Sequence, residues 1–153
     1  MTRFFETALV GDVLGAADTS QTNLSAPGKP GRAPRRTVVV VDDEHVIADS
    51  LVAILNQSGF SALAAYDAES ALDLISARTP DLLISDICMP GMNGIDLAIQ
   101  VRRRFPNCRV LLFSGHASST LLLEEARKKG YDFDFLSKPV HPRDLLKCLD
   151  RAA

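Results

Sequence analysis

The chain has 153 residues, 46% of them hydrophobic and 24% charged, with a formal net charge of -2 at pH 7. This is ordinary globular composition for one domain, and it excludes a strongly basic surface for nucleic acid. No apolar run approaches a membrane span, and Glu6 and Asp12 interrupt the N-terminal stretch where a signal peptide would be uniformly apolar. We therefore expect a soluble cytoplasmic protein that neither enters a membrane nor binds DNA directly.

The pattern of the three cysteines also favours a cytoplasmic location. Cys88, Cys108 and Cys148 are widely spaced and form no CxxC pair. An odd number at such spacing indicates neither a disulfide framework nor a zinc site. A reducing environment fits this pattern best.

The first 36 residues differ in composition from the rest. Residues 18–36 are rich in Ser, Thr, Gly, Pro and Arg and hold a single Leu, too little apolar surface to repay ordering. Before them, Phe5, Leu9 and Val13 recur every four residues, which allows a short amphipathic helix as the alternative to a loose terminus. We predict a disordered or loosely ordered extension over 1–36 and a folded domain over 37–153.

From Thr37 onward, strand-like and helix-like segments alternate five times. The predicted strands are TVVVV (37–41), FSALAAY (60–66), DLLISDI (81–87), CRVLLFS (108–114) and DFDFLSK (132–138). The predicted helices are HVIADSLVAILNQSG (45–59), DAESALDLISAR (67–78), GIDLAIQVRRRF (94–105), SSTLLLEEARKKG (118–130) and PRDLLKCLDRA (142–152). Such alternation predicts a doubly wound α/β fold with five parallel strands and five helices.

Polar residues follow the strands of this predicted sheet. Asp42 and Asp43 follow the first strand, Asp86 ends the third, Ser114 ends the fourth and Lys138 ends the fifth. Each alone also fits a simpler role, such as a helix cap or a solvated strand end. Because the carboxyl ends of parallel strands meet at one edge, we expect the five side chains to form one site.

The segment LLISDICMPGMNG (82–94) contains the third predicted strand and the loop after it. Its carboxylate, Asp86, lies at the end of what reads as a buried strand. A buried aspartate needs a partner, and several carboxylates together suit Mg²⁺ or Mn²⁺, which prefer oxygen ligands. Lys138 adds a compact positive charge and Ser114 a hydroxyl donor. Together they indicate a site for a phosphoryl group bound to, or moving onto, a carboxylate.

These residues resemble the receiver domain of bacterial two-component response regulators, a flavodoxin-like or CheY-like fold with strand order 2-1-3-4-5. The resemblance covers Thr37 to Ala153 and rests on VVVVDDE, DICMPGMNG, FSGH and FLSKPV. It implies a phosphoacceptor switch, not an enzyme. It also implies a phosphodonor, either a sensor histidine kinase or a histidine phosphotransfer protein.

By the same resemblance, each polar residue has a role. Asp86 is the phosphoacceptor, and Lys138 pairs first with Asp86 and then with a phosphoryl oxygen. The metal ligands are Asp43, Asp86 and the carbonyl of Cys88, with Asp42 acting through a metal-bound water.

The resemblance also implies a switch. Ser114 and Phe135 change position on phosphorylation, and the Lys138-Pro139 peptide bond is cis. The readout face comprises the fourth helix, fifth strand and fifth helix, and acts on an unknown downstream partner or in a homodimer. Only one helix follows Pro142, so we expect a stand-alone receiver.

Four features depart from the family pattern or leave alternatives open. Gly130 and Lys138 are eight positions apart, one more than is common, which predicts a longer loop before the fifth strand. Three consecutive leucines, 121–123, cannot all face the sheet, and form either incidental surface or a partner patch. The resemblance places Cys88 and His116 beside the site, where they would tune the lifetime of the phosphoryl group, although His116 would equally serve to hydrogen-bond its loop.

Three other functions remain as alternatives. A phosphatase of the haloacid-dehalogenase type needs Asp-x-Asp, whereas the aspartates here are adjacent. A flavodoxin-like flavin binder needs a phosphate loop where this chain has DDEHVI, which repels phosphate. A receiver that is never phosphorylated and serves only for docking is disfavoured by the complete set of polar residues.

Overall fold

The computed structural model describes residue 31 and residues 33–151 of the chain. The predicted N-terminal helix, most of the predicted extension and the last two residues of the predicted domain lie outside this range. The described strands are β1 Thr37–Val41, β2 Ser61–Ala65, β3 Leu82–Asp86, β4 Arg109–Ser114 and β5 Asp134–Ser137. The helices are α1 His45–Gln57, α2 Ala68–Ala77, α3 Gly94–Arg104, α4 Ser118–Lys128 and α5 Pro142–Asp150.

All neighbouring strands of the sheet are parallel, and their order is β2-β1-β3-β4-β5. The prediction of a doubly wound sheet with five strands and five helices is confirmed. Strand and helix ends differ from the sequence-based bounds by at most two residues. β1 and β3 lie inside the sheet, whereas β2 and β5 are its edges and carry exposed side chains, among them Leu63 on β2.

The sheet is buried on both faces. Val39, Val41 and Leu83 point toward the layer formed by α2, α3 and α4. Val38 and Val40 point to the other face, toward α1 and α5. This explains the continuous β-branched run of the first strand, because both faces of a central parallel strand need apolar side chains.

Side chains fix the start of three of the five described helices. Asp67 accepts a hydrogen bond from the Ser70 backbone N–H at 2.7 Å at the start of α2, as its sequence position predicts. Asn93 caps α3, and His141 caps α5 ahead of Pro142. α1 and α4 begin without a side-chain cap. The first turn of α4 therefore depends on other contacts.

The connection from α4 to β5 contains two aromatic residues. Phe133 is buried in the core under α3 and α4, and Tyr131 is half-buried with its ring stacked against Phe133 at a centroid distance of 6.2 Å. Arg103 Nε donates to the Tyr131 hydroxyl at 2.7 Å, and the guanidinium of Arg102 lies 5.0 Å from the Phe133 ring centroid. The connection is therefore held against the C-terminal end of α3.

The three leucines of α4 are divided between core and surface. Leu122 and Leu123 are half-buried against the core, whereas the side chain of Leu121 is 65% exposed. The prediction that all three cannot face the sheet is confirmed. Among the residues that the structure describes, no helix has the length and apolar character that crossing a bilayer requires.

Candidate functional site

Three carboxylates meet where β1 and β3 end. Asp42 and Asp43 follow β1, and Asp86 is the last residue of β3. Oxygen atoms of the three side chains lie within 4.8 Å of one another. Asp42 and Asp86 are buried and Asp43 is exposed, so the cluster reaches solvent at Asp43.

Lys138, just after β5, reaches across the sheet edge to this cluster. Its Nζ donates to Asp42 Oδ2 at 3.0 Å and lies 3.4 Å from Asp86 Oδ2. The same nitrogen is 5.0 Å from the centroid of the Phe113 ring, a favourable contact for a cation. One ammonium thus lies between two buried carboxylates.

The charges of these side chains shift their proton affinities. Burial raises the pKa of Asp86 above its ordinary value, the positive charge of Lys138 offsets part of this, and the negative charge of Asp42 adds to it. Burial works against the charged form of Lys138, but the hydrogen bond to Asp42 and the attraction of both carboxylates raise its pKa overall. The lysine therefore stays protonated, while the cluster remains short of positive charge.

One oxygen of the cluster lacks a partner. Asp42 Oδ1 accepts from the Glu44 backbone N–H at 2.9 Å. Asp86 Oδ1 is buried, and no residue that the structure describes forms a hydrogen bond with it. A buried carboxylate oxygen without a donor is costly, and a divalent cation with oxygen ligands would satisfy it. The donor set, the excess negative charge and this oxygen all fit Mg²⁺ or Mn²⁺.

The loop after Asp86 is held close to the start of α3. The Gly94 backbone N–H donates to the Ile87 carbonyl at 2.8 Å, and a Cβ on Gly94 would overlap the carbonyl oxygen of Asp86. Ser85 Oγ donates to that same carbonyl at 2.9 Å. Gly91 has φ of +76°, which favours glycine in the turn. Two glycines of the LLISDICMPGMNG stretch therefore fix the backbone that presents Asp86.

Ser114, at the end of β4, belongs to a group that we call the serine–cysteine ring: Ser114, Ser119 and Cys88. Ser119 Oγ donates to Ser114 Oγ at 2.7 Å, and Ser114 Oγ donates to Cys88 Sγ at 3.8 Å. Cys88 Sγ and Ser119 Oγ are 3.6 Å apart, which closes the ring. Ser114 Oγ also accepts from the His116 backbone N–H at 3.2 Å.

The remaining predicted residues lie around this site. Cys88 is half-buried, and its thiol belongs to the serine–cysteine ring. His116 is exposed on the loop before α4. Phe135 lies on β5 with 38% of its surface exposed. The Lys138-Pro139 peptide bond is cis.

Two polar residues after β2 lie outside the cluster. Asp67 caps α2, and Tyr66 donates to Asp49 at 2.6 Å and stacks on His45 with a centroid distance of 3.7 Å. The hydrogen bond to Asp49 is the main reason why the pKa of Tyr66 is raised, and burial and the negative charge of Asp49 add to it. The second strand therefore contributes no carboxylate to the site.

Ser119 is the site residue that sequence reasoning missed. It is fully buried, although serine is usually a surface residue. Its position gave one signal: Ser119 precedes Leu122, Leu123 and Ala126 by three, four and seven residues, the spacing of an inward helix face. Residue type alone pointed to the surface.

Comparisons with known proteins agree with this geometry. The family model described as response regulator receiver domain matches residues 38–150. The two-component response regulator ARR21 of Arabidopsis thaliana is 39% identical over 112 residues, which are 72% of this chain and 18% of that protein. The chain thus spans less than a fifth of this relative's length.

Solved structures show the same likeness. The chemotaxis protein CheY4 of Vibrio cholerae has a TM-score of 0.70 and 28% identity, over 78% of this chain and all of that one. The receiver domain of NtrX from Brucella abortus has a TM-score of 0.67 and 33% identity, over 75% of this chain and 96% of that one.

The fold and the acidic edge of the sheet define a signalling module of the CheY-like type. The chain belongs to the response regulator receiver domain family. The prediction of family is therefore confirmed. Members of this family are signalling switches, not conventional enzymes.

Proposed function

We propose that this domain accepts a phosphoryl group on Asp86 from a phosphohistidine. A carboxylate oxygen of Asp86 attacks phosphorus, the bond between phosphorus and the histidine nitrogen breaks, and the imidazole leaves. The observation that carries this proposal is the buried Asp86 with one unpartnered oxygen, beside the Lys138 ammonium at 3.4 Å. Phosphoryl transfer depends mainly on positioning and charge neutralisation, which this arrangement offers.

The metal site that we propose uses Asp43, Asp86 and the Cys88 carbonyl, with Asp42 acting through water. Bound Mg²⁺ or Mn²⁺ would neutralise charge on the phosphoryl oxygens. Lys138 holds Asp42 and Asp86 in place and supplies the second positive charge. Ser114 would donate its hydroxyl to a phosphoryl oxygen, and Cys88 and His116 would tune how fast water removes the group.

The phosphodonor that we propose is a sensor histidine kinase or a histidine phosphotransfer protein. A cavity of about 490 Å³ lies beside Lys138, lined mainly by apolar side chains of α1 and the segment after β5, including Ile47, Leu51 and Pro139. Val46 on its rim is 79% exposed. An apolar surface next to the acceptor supports docking of a protein donor there.

The output that we propose is a change at α4, β5 and α5, with Ser114 and Phe135 moving together. Exposed Leu121 and Phe135 on this face support contact with a downstream protein or a second copy of the chain. A stand-alone arrangement, a cytoplasmic location and the absence of direct DNA binding stay predictions.

The test is labelling with acetyl phosphate and Mg²⁺, read as the added mass of one phosphoryl group. We expect the wild type to label, Asp86→Asn to remain unlabelled, and a chelator to abolish labelling. Asp96→Asn is the matched control, because Asp96 is an exposed carboxylate in the first turn of α3 and should label normally.

Two results would contradict the proposal. If the wild type stays unlabelled, the docking-only alternative is favoured. If Asp86→Asn labels as the wild type does, another residue is the acceptor. The family membership already sets aside the phosphatase and flavin-binding alternatives.

A further inference from the structure

The serine–cysteine ring connects three elements next to the acceptor. Cys88 lies in the loop after β3, Ser114 ends β4, and Ser119 lies in the first turn of α4. Its three sides measure 2.7, 3.6 and 3.8 Å. A movement of the Ser114 hydroxyl therefore changes a hydrogen bond of Ser119, which lies in α4.

The Ser114 hydroxyl has no hydrogen-bonding capacity left in this arrangement. A serine hydroxyl has one proton to donate and two lone pairs. Its proton is directed to Cys88 Sγ, and its lone pairs accept from the Ser119 hydroxyl and the His116 backbone N–H. To donate to a phosphoryl oxygen on Asp86, Ser114 must therefore turn its proton away from Cys88, and the movement of Ser114 proposed above also draws its oxygen away from Ser119.

Leaving the ring has a cost that falls on Ser119. Ser119 is fully buried, so its hydroxyl has no access to water when Ser114 departs. Its bond of 2.7 Å to Ser114 is then lost, and the contact that remains within the ring is the one of 3.6 Å to the Cys88 thiol, whose sulfur is a weak acceptor. Losing that bond disfavours the rotated position of Ser114.

The same bond fastens the start of α4. This helix has no side-chain cap and no acidic residue in its first turn. The Ser119 backbone N–H donates to the His116 carbonyl, while the Ser119 side chain reaches back to β4. When Ser114 leaves, the first turn of α4 loses this side-chain tie to the sheet.

We propose that Ser119 is a positioning residue that acts as a latch. It holds the Ser114 hydroxyl in the unphosphorylated arrangement and transmits its departure to the first turn of α4. This inference rests on the proposed function, because the departure is driven by a phosphoryl group on Asp86. In this proposal the Ser119 bond sets the free energy that phosphorylation must supply to move Ser114. The first turn of α4 is the first element to respond.

The first test measures labelling rates with acetyl phosphate and Mg²⁺. We expect Ser119→Ala to label about two- to tenfold faster than wild type, the range that loss of one ordinary hydrogen bond allows. Ser118→Ala is the matched control, because Ser118 is exposed on the same turn, and should label at the wild-type rate. In a Ser114→Ala background, Ser119→Ala should cause no acceleration.

That background separates a latch from general loosening. If the acceleration persists without the Ser114 hydroxyl, or if Ser118→Ala causes it too, the latch is wrong. An unchanged or slower rate in Ser119→Ala also overturns it.

The second test needs no phosphorylation. Amide hydrogen exchange of unphosphorylated Ser119→Ala should be at least about threefold faster at residues 119 and 120, with Ser118→Ala unchanged. If the wild type fails to label, the proposed function fails, and exchange alone decides on the latch. Unchanged exchange at both amides would overturn the latch even in a protein that labels normally.

Discussion

Lys138 sets the balance of charge at the acidic edge of the sheet. It lies within 3.4 Å of two carboxylates that would otherwise repel each other in a buried position. A single ammonium cannot neutralise three aspartates, and the exposed Asp43 leaves the site open to a further cation. Lys138 therefore offsets part of the repulsion between Asp42 and Asp86, while the site stays short of positive charge.

Among the glycines that the structure describes, Gly94 has the least room for a side chain. A Cβ there would overlap the Asp86 carbonyl, so Gly94→Ala must displace either α3 or the acceptor loop. We expect the free energy of unfolding to fall by about 1–3 kcal/mol, measured with urea. Gly31→Ala is the control, since nothing lies within 4 Å of its added Cβ. Equal stability of the two variants would contradict this close approach.

Cys108 is the cysteine least able to react. It is buried, and burial, with a smaller contribution from the negative charge of Asp81, raises its pKa to about 11. Because the pKa is raised, only about one molecule in a thousand carries the thiolate near pH 8. A thiol reagent should modify the half-buried Cys88 and Cys148 first, and Cys108 only after unfolding. Peptide mass mapping checks this order, and early labelling of Cys108 would refute it.

At the scale of elements, the sequence was sufficient for the order of strands and helices. The continuous β-branched run of β1 is typical of a strand buried on both faces, and the fivefold alternation of strand-like and helix-like segments predicts the order of elements along the chain. The start of β5 was harder to place, because the alternation of DFDFLSK begins two residues before the first residue that pairs with β4. Alternation records which face a residue prefers, not where pairing begins.

Some residues of the site could be predicted from the sequence, and others could not. Strand ends predicted which carboxylates would meet, since the carboxyl ends of parallel strands share an edge. The reach of Lys138 to both Asp42 and Asp86 depends on tertiary distances that no local pattern contains. Ser119 was missed because its residue type points to the surface, while its hydrogen-bond partner, the hydroxyl of Ser114, lies five residues away on another element.

The segment before β5 allows a direct comparison of two phenylalanines. Phe133 is buried against α3 and α4, whereas Phe135 is partly exposed on the strand. We expect Phe133→Ala to lower the free energy of unfolding by about 3 kcal/mol and Phe135→Ala by about 1 kcal/mol or less. Urea unfolding measures both, and Phe133→Leu serves if the alanine variant does not fold. A larger loss in the Phe135 variant would contradict the described packing.

At the scale of the whole molecule, strand order places the chemistry. β1 lies between β2 and β3, so the chain leaves β1 first to one side of the sheet and returns to the other. Ligand sites of open α/β sheets lie at such a reversal. The aspartates after β1 and at the end of β3 are neighbours for this reason, although they are separated by more than forty residues.

The N-terminal boundary can be tested by two truncations. The Arg36 carbonyl accepts from the Ser61 backbone N–H at 2.9 Å, and Thr37 bonds to Asp81, so the ladder starts at residue 36. Removal of 1–34 should leave the free energy of unfolding unchanged, and removal of 1–36 should lower it by about 1 kcal/mol. Both should label with acetyl phosphate. A larger loss on removal of 1–34 would mean that the predicted extension belongs to the domain.

The two edges of the sheet differ in their protection against intermolecular strand addition. β5 has four residues and carries the charged Asp134, whereas β2 is the uncharged segment SALAA with Leu63 57% exposed. Edge strands without charge offer a template for pairing with another chain. Aggregation should therefore begin at β2, so that Leu63→Lys delays heat-induced light scattering while Leu121→Lys on α4 does not. The stability of a stored solution would then depend on the edge farthest from β5.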